Sequence, residues 1–327
     1  MTTDHWQAVA LSKDITRKPL RVMLDGAPIV LFRATDGLTA LTDRCPHRLV
    51  ELSKGRVVDG EIECPYHGWR FGGSGQCTAV PGHAGDLPKA RVKTWQVCEK
   101  EGAVFISHSP QSAPPYTHCA AGQDVITRMV RSDTQSTVID AAENILDATH
   151  THFTHKGLLR GLSSKRVLVD VTVTGGDGWV EACYTGEDKQ QGFVSRTLEG
   201  TRTKTIGRFR APGIAELEYW GPDGLTLATT FHLRQASPDR VEGIGWLIGP
   251  NTGIGAQLKA LAFKPMFKLA LHQDRRVLSS ASRNAALWPD AKPVVGPLDF
   301  LRNDIAAIIS GRLPDCAETP RTHQIQL

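Results

Sequence analysis

Several features that mark other protein classes are missing from this sequence of 327 residues. Gly, Pro or a charged residue interrupts every apolar run before it reaches the length of a membrane span. No block of like charges occurs and the formal net charge is only +4, so a nucleic-acid partner is not expected. The first residues lack the basic and apolar regions of a secretory signal peptide. The sequence therefore predicts a protein that neither spans a membrane nor binds nucleic acid.

Cysteine is present in an odd number, seven, which does not suit a disulfide framework in a chain of this length. A reducing compartment is expected, and the cytoplasm is the default location. No Gly-x-Gly-x-x-Gly fingerprint follows a predicted strand, so nicotinamide or flavin chemistry must come from another protein. The length is sufficient for two domains, each with its own core.

The first third of the chain is predicted to be all-β, because short apolar runs alternate with turn signals such as Asp25-Gly26 and Asp36-Gly37. A Pro-rich polar stretch over residues 109–116 has the composition of a linker. We place the domain boundary there, which gives domains over residues 1–112 and 113–327. The predicted strands of the first domain include Leu20–Leu24, Ile29–Phe32, Leu38–Leu41, Ala90–Val97 and Ala103–Ser107.

The second domain is predicted to contain a large antiparallel sheet, since strand-like alternation returns over residues 165–249. The apolar period becomes helical from Gly255 to Ala286, and a last helix is predicted from Leu298 to Ile309, ended by Gly311. The predicted strands are Val125–Val130, Thr134–Ile139, Val167–Val173, Trp179–Tyr184, Phe193–Leu198, Thr203–Phe209, Ala215–Trp220, Leu225–Leu233 and Val241–Ile248.

Two short stretches each pair one cysteine with one histidine. Cys45-Pro-His47 is followed, after sixteen residues, by Cys64-Pro-Tyr-His67. Thiolates suit iron–sulfur clusters and imidazoles suit iron or zinc, so these four side chains predict a metal site. Replacing two Cys by two His on one iron of a [2Fe–2S] cluster defines the Rieske centre. A tetrahedral zinc site uses the same residue types, although one Cys and one His on each loop is unusual for zinc.

A second concentration of polar residues lies over residues 140–156. On an ideal helix Asn144, Asp147 and His150 share one face at i, i+3 steps. His155 lies roughly 140° further round, so the helix is expected to end or loosen near that residue. Two imidazoles with a more distant carboxylate can form a facial triad that holds Fe(II) with open coordination positions. A helix with solvated acids and a His-rich end is the alternative on these residues alone.

Both motifs resemble those of one family. C-P-H-R at 45–48 and C-P-Y-H-G-W-R-F at 64–71 closely resemble the cluster loops of Rieske non-haem iron oxygenases. E-N-I-L-D-A-T-H-T-H-F-T-H at 143–155 resembles the mononuclear-iron motif of the same family. The motifs occur in the family's order and separation, and the resemblance extends over essentially the whole chain. It implies an α+β protein in which an N-terminal all-β Rieske [2Fe–2S] domain precedes a helix-grip, START-like catalytic domain with a large antiparallel sheet and helices.

The resemblance also implies roles for individual residues. Cys45 and Cys64 would ligate one iron of the [2Fe–2S] cluster, and His47 and His67 would ligate the other. Trp69 is expected to pack beside the cluster.

In the second motif, the resemblance makes His150 and His155 the histidine ligands of a mononuclear Fe(II). Asp147 becomes the carboxylate that bridges the two metal centres, and Asn144 becomes a residue near them. His152 matches no ligand position and is interpreted as a structural or pocket residue.

The third iron ligand should be an acid in the later helical region, and Asp274 resembles the family's acid there. Taken alone, Asp274 could equally be a solvated helix acid paired with a neighbouring arginine. Asp290 and Asp299 are the fallback candidates, although their Pro-rich or terminal settings fit less well. His232 faintly resembles a residue on a strand that lines the substrate pocket of demethylating members, and a hydrogen-bonded histidine within the sheet is the alternative.

The chain is short for a ring-dihydroxylating subunit and looks more like the compact homotrimeric members that demethylate or monohydroxylate their substrates. This implies a terminal oxygenase component that uses O2 on a small organic, aromatic substrate. Its electrons would come from NAD(P)H through a separate reductase or ferredoxin, and each cluster would serve the iron of a neighbouring subunit. A ring-hydroxylating dioxygenase is the alternative within the family. A simple Rieske electron carrier and a zinc-stabilised binding protein are the alternatives outside it.

Overall fold

The computed structural model describes residues 5–110, 113–159, 166–187 and 201–327. The chain divides into two compact units between Tyr116 and Thr117, directly after the predicted linker. Within the described ranges, no helix combines the length and the apolar character needed to cross a membrane. The predicted strand Phe193–Leu198 lies outside the described residues.

The first unit is built from short antiparallel strands, which confirms the all-β prediction. Its three sheets have the orders β1-β10-β9, β2-β3-β4 and β5-β6-β7-β8. Two single-turn 3-10 helices, Ser12–Asp14 and Leu52–Lys54, complete it. The strands are β1 Gln7–Leu11, β2 Leu20–Leu24, β3 Ala27–Ala34, β4 Gly37–Thr42, β5 Arg56–Val58, β6 Glu61–Glu63, β7 Arg70–Phe71, β8 Cys77–Ala79, β9 Gln96–Lys100 and β10 Ala103–Ser107.

Turn chemistry explains much of this arrangement. Asp25 and Gly26 both have positive φ, 48° and 77°, as the two-residue turn between β2 and β3 requires. The predicted strand Ala90–Val97 is largely wrong, because only its last two residues belong to β9. Arg91 and Thr94 instead make isolated bridges to Gln76 and Leu41.

The second unit contains a single eight-stranded sheet among its described residues, with the order β11-β17-β16-β15-β14-β13-β12-β18 and antiparallel pairing throughout. The predicted antiparallel sheet with helices is therefore confirmed. Its elements are β11 Val125–Gln135, α1 Val138–Leu146, α2 Thr151–Thr154, β12 Leu168–Gly176, β13 Trp179–Thr185, β14 Lys204–Arg210, β15 Ile214–Gly221, β16 Gly224–Ser237, β17 Arg240–Pro250, α3 Ile254–Leu287, α4 Arg302–Ile309, the 3-10 turn Asp315–Ala317 and β18 Arg321–Gln326.

The two faces of this sheet have different partners. Along β16, Leu227, Phe231 and Leu233 belong to a hydrophobic core that includes residues of α1 and α3. The ring of Phe231 stacks on Phe267 of α3, with centroids 6.0 Å apart. Since successive side chains of a strand point to opposite sides, Thr230 and the other even-numbered residues of β16 face away from these helices. We call the side that contacts the helices the inner face and the other side the outer face.

Of the predicted strand Thr134–Ile139, only the first two residues belong to β11, and the last two begin α1. The strand ends at Gln135, and Thr137 begins the helix by accepting a hydrogen bond from the Asp140 backbone N–H at 3.1 Å. The Thr137 hydroxyl also donates to the Asp140 carboxylate at 2.6 Å. The first bond satisfies one free backbone N–H of the first helical turn, and this N-cap starts a helix in spite of the β-branched composition of the segment.

Candidate metal centres

The first Cys-His pair lies on a tight loop after β4. The Cys45 N–H donates to the carbonyl of Val50 at 2.8 Å, and the Leu49 N–H donates to the carbonyl of Cys45 at 2.9 Å. Asp43 fixes the start of the loop, since its buried carboxylate accepts from the N–H and hydroxyl of Ser53 at 2.7 and 2.6 Å. The loop conformation is therefore set by backbone hydrogen bonds and one buried acid.

The second loop repeats this hydrogen-bond pattern. The Cys64 N–H donates to the carbonyl of Trp69 at 2.8 Å, and the Gly68 N–H donates to the carbonyl of Cys64 at 3.1 Å. Gly68 has a φ of 70°, and its counterpart in the first loop, Leu49, has a φ of 62°. A Cβ on Gly68 would also lie 2.9 Å from the Pro81 side chain, so only glycine fits there without a shift.

The two loops place the two predicted cysteine ligands in the core and the two predicted histidine ligands beside each other. Cys45 and Cys64 are buried within a hydrophobic core cluster of the first unit. The imidazoles of His47 and His67 are further out, with ring centroids 4.7 Å apart. Trp69 stacks on His47 with centroids 4.7 Å apart and only 7° between the planes.

The electrostatics of these side chains fit a cationic group between them. Burial, helped by the adjacent Cys64, raises the pKa of the Cys45 thiol to about 11. Burial and the nearby His67 lower the pKa of His47, which keeps its imidazole neutral and able to ligate a metal. Two buried thiols and two neighbouring imidazoles match the donor set of a Rieske [2Fe–2S] cluster.

The second centre begins where α1 ends. The predicted continuous helix through His150 is wrong, because α1 stops at Leu146 and Asp147 adopts an extended conformation. The Asp147 carboxylate accepts hydrogen bonds from the N–H and hydroxyl of Thr149, both at 2.6 Å, and from the His150 N–H at 3.1 Å. These local bonds compete with the helical ladder and start the short helix α2.

This break places three predicted iron ligands around one point. The Nε2 atoms of His150 and His155 lie 3.3 Å apart. Asp274 of α3 places its Oδ1 3.0 Å from His155 Nε2 and 3.4 Å from His150 Nε2. That oxygen is buried, and both ring nitrogens are directed at it. Two imidazole nitrogens and a buried carboxylate oxygen within 4.8 Å of one another fit a bound divalent metal.

The far side of each imidazole is held by an acceptor. His150 Nδ1 lies 2.7 Å from the carbonyl oxygen of Asp147, and His155 Nδ1 lies 2.8 Å from Oε1 of Gln273. Each Nδ1 therefore donates its proton to that acceptor, and each Nε2 is the ring atom directed at the centre. Sequence reasoning missed Gln273, because a glutamine inside a long helix has no distinguishing pattern.

The three side chains also share charge. Burial opposes ionisation of His150, but hydrogen bonds and charge from Asp147 and Asp274 outweigh it and raise the pKa of His150 to about 9. Burial likewise opposes ionisation of Asp274, yet His150 and His155 hold the pKa of that carboxyl below its ordinary value. The metal-free site thus retains a proton at neutral pH, and a bound metal ion would replace it.

The remaining predicted residues occupy other positions. Asn144 lies on α1 and lines a cavity of about 250 Å³ with Asp147 and Thr149. Neither fallback acid belongs to the triad: Asp290 is exposed, and Asp299 accepts a hydrogen bond from the Gly296 N–H at 2.6 Å.

His232 does not face the group formed by His150, His155 and Asp274. The prediction that it lines the substrate pocket is therefore wrong. Its neighbours on β16, Phe231 and Leu233, belong to the inner-face core, and His232 therefore lies on the outer face. Its Nε2–H donates to the carbonyl of Thr117 at 2.8 Å, and its ring packs against Trp246. Burial lowers the pKa of His232 to about 4 and keeps it neutral. It is a hydrogen-bonded histidine of the sheet.

Comparison with known proteins agrees with this geometry. Residues 5–108 match the family model of the Rieske [2Fe–2S] domain. The chain is 31% identical over 185 residues to the oxygenase component of dicamba O-demethylase from Stenotrophomonas maltophilia, covering 54% of each chain. It is 30% identical over 241 residues to the chloroplastic protein TIC 55 of Arabidopsis thaliana, covering 68% of this chain and 42% of that protein. The chain thus spans about half the length of these curated relatives.

Solved structures agree over nearly the whole chain. Dicamba monooxygenase bound to dicamba superposes with a TM-score of 0.80 at 20% identity, covering 95% of this chain and 97% of that one. NdmA of Pseudomonas putida CBB5 with caffeine superposes with a TM-score of 0.71 at 19% identity, covering 98% and 96%. At these identities the likeness establishes the fold.

Proposed function

Since residues 5–108 form a Rieske [2Fe–2S] domain and the chain has the fold of Rieske oxygenase components, we propose that it is the terminal oxygenase component of a multicomponent Rieske oxygenase. It would use O2 and externally supplied electrons to hydroxylate or demethylate a small organic substrate. The observation that supports this proposal most directly is that one chain contains both the Cys-His loops and a group formed by His150, His155 and Asp274, whose ligand atoms lie within 4.8 Å of one another.

In this proposal Cys45 and Cys64 hold one iron of the cluster, and His47 and His67 hold the other. A cluster of this kind accepts and passes on one electron at a time. The chain itself contributes the two loop conformations, the burial of the sulfur side and the Trp69 ring packed on His47.

His150, His155 and Asp274 would hold a mononuclear Fe(II), whose chemistry is the activation of O2 at positions that the protein leaves open. The chain fixes both imidazoles through their Nδ1 protons and excludes water by burial, since the His155 side chain is only 2% exposed. Asp147 fixes the backbone that orients His150. Its carboxylate would also accept a hydrogen bond from an imidazole at the cluster of a neighbouring subunit, with Asn144 close by.

The partners and setting belong to the same proposal. Electrons would come from NAD(P)H through a separate reductase or ferredoxin, the chains would form a homotrimeric ring, and the enzyme would work in the cytoplasm on an aromatic compound. The names of dicamba O-demethylase and of NdmA with caffeine support small organic substrates and demethylation.

Asp274→Ala is the direct test. We expect the variant to keep the red-brown Rieske spectrum, to lose one iron per chain and to lose reductase-coupled formaldehyde release from methoxy- and N-methyl-aromatic substrates. Asp290→Ala, which removes an exposed acid, is the matched control and should behave as wild type. A colourless, zinc-loaded protein would refute the oxygenase and support a zinc-stabilised binding protein instead.

A further inference from the structure

A small cavity of about 90 Å³ lies between the inner face of the sheet and the helices. Its wall is mostly apolar and includes Leu217 and Leu227 of the sheet and Phe263 and Phe267 of α3. Asp147 and Thr151, which flank His150 in the sequence, also line it. The cavity therefore adjoins the backbone that carries the candidate iron ligands.

Among the described lining residues, Arg202 is the only arginine or lysine, and it already forms an ion pair with Glu187. Its Nη1 lies 3.2 Å from Oε2 of Glu187, and the two side chains are only 7% and 8% exposed. The guanidinium also lies over the Tyr219 ring, 4.3 Å from its centroid. Glu187 thus compensates the charge of Arg202, and Asp147 adds a further carboxylate.

One hydroxyl of the wall, that of Thr229, has no hydrogen-bond partner among the residues that the structure describes. Thr229 is 2% exposed, and within the described ranges its Oγ1 makes no hydrogen bond. The residue sits in the middle of β16, paired with Leu217 on one side and Leu247 on the other, so its position is fixed. A buried hydroxyl without a partner is unfavourable, and a polar group of a bound ligand would remove that cost.

We propose that this cavity selects an uncharged substrate, with an apolar body and one hydroxyl or carbonyl group that hydrogen-bonds Thr229. The inference rests on the proposed function and specifies the class of its substrate. A carboxylate would enter a wall in which the one cation is already paired, and it would remain a buried, uncompensated charge. Thr229 can donate to a carbonyl or accept from a hydroxyl, so both groups suit it.

Binding to the metal-loaded full chain, measured by calorimetry without O2 or reductant, tests the selection. The probes are the three methoxyphenols, the three corresponding methoxybenzoates and methoxybenzene. We expect at least one methoxyphenol to bind, and to bind at least tenfold more tightly than the matching benzoate. Benzoates that bind as tightly as the phenols, or failure of every methoxyphenol to bind, would overturn the proposal.

Thr229→Val removes the hydroxyl and keeps the shape. It should weaken methoxyphenol binding about tenfold, leave methoxybenzene binding unchanged and not lower Tm, since the Thr229 hydroxyl makes no hydrogen bond to any described residue of the free protein. Thr226→Val is the control on the same strand: its hydroxyl donates to the Tyr219 carbonyl at 2.9 Å, outside the cavity wall. The control should lower Tm and leave binding unchanged. Unchanged methoxyphenol affinity in Thr229→Val would refute the role of Thr229.

Glu187→Gln tests the charge argument, because it removes the carboxylate charge that compensates Arg202. The ratio of methoxybenzoate affinity to methoxyphenol affinity should rise at least tenfold, and an unchanged ratio would refute the charge argument. Iron content and the visible spectrum are recorded on each sample. Protein that lacks the cluster or the mononuclear iron contradicts the proposed function, whereas fully loaded protein that binds no methoxyphenol contradicts the substrate class alone.

Discussion

The two candidate metal centres are assembled in different ways. The four residues of the first centre lie within 23 consecutive positions, on two loops with the same hydrogen-bond pattern. The second centre takes His150 and His155 from the segment after α1, and Asp274 from a helix more than a hundred residues later. The first centre is therefore a local structure, and the second forms only when the second unit of the chain is folded.

The means of support differ as well. Backbone N–H groups shape the first centre, and its imidazoles lie toward solvent while its sulfurs are in the core. Side chains and one carbonyl support the second centre, where the carbonyl of Asp147 and the amide of Gln273 hold the two imidazoles. The comparison suggests that single side-chain changes should act independently at the two centres.

The largest expected effect is the complete loss of one metal centre while the other stays intact. His150→Ala should abolish mononuclear iron and turnover and leave the cluster spectrum intact, while Cys64→Ser should abolish the cluster spectrum. Metal analysis and visible spectroscopy measure both outcomes. His272→Ala and Cys98→Ser, which change residues outside either centre, are the controls. A His150→Ala protein that loses its cluster would show that the centres are not independent.

The next effect concerns the potential of the cluster. His47→Cys should keep a cluster but lower its reduction potential, on the order of 100 mV or more, because an anionic thiolate replaces a neutral imidazole. Spectroelectrochemical titration measures the change. An unchanged potential in a variant with an assembled cluster would show that His47 is not a ligand.

A smaller effect should follow from the support of His155. Gln273→Leu removes the acceptor of the Nδ1 proton and should weaken iron binding about 10- to 100-fold without changing the cluster. Iron titration of the metal-depleted site measures the affinity. Gln257→Leu is the control, because that amide lies on the same helix and accepts from Arg128 instead. Equal iron affinities in the two variants would show that Gln273 does not support the metal site.

The smallest effect tests the correction of His232. The pKa of His232 is lowered to about 4 by burial, so its stabilising contribution is complete above the ordinary pKa of about 6.5 and is lost as pH falls toward 4. His232→Gln keeps an N–H donor for Thr117 and cannot titrate. Between these pH values the free energy of unfolding, measured with urea, should fall by up to about 3 kcal/mol less in the variant than in the wild type. Turnover of the variant should be unchanged. A loss of turnover would indicate that His232 does line the substrate pocket.

The sequence was most informative where function depends on local spacing. Cys45, His47, Cys64 and His67 could be recognised because the loops that hold them are contiguous and tight. Asp274 was reached only through family resemblance, since a helix acid beside arginines has no local sign of ligation.

Other features depend on competition or on tertiary contacts. The helix break at Asp147 was missed because its carboxylate bonds to Thr149 and His150 in place of continuing the helix. The orientation of His232 could have been inferred, since it alternates with Leu227 and Phe231 on the same strand. The pair of Arg202 and Glu187 could not, because residues fifteen positions apart meet only in the folded sheet.

Pro265 has a consequence for the hydrogen-exchange behaviour of α3. It lies inside this 34-residue helix and cannot donate to the carbonyl of Leu261, so the hydrogen-bond ladder is interrupted there. The turns before it are largely exposed and contact β11 through an exposed hydrogen bond from Arg128 to Gln257, whereas the later turns contact β11 through Arg275 and Ser279 and carry Asp274. Amides before Pro265 should therefore exchange with deuterium in an early cooperative step, while the later amides stay protected together with the sheet.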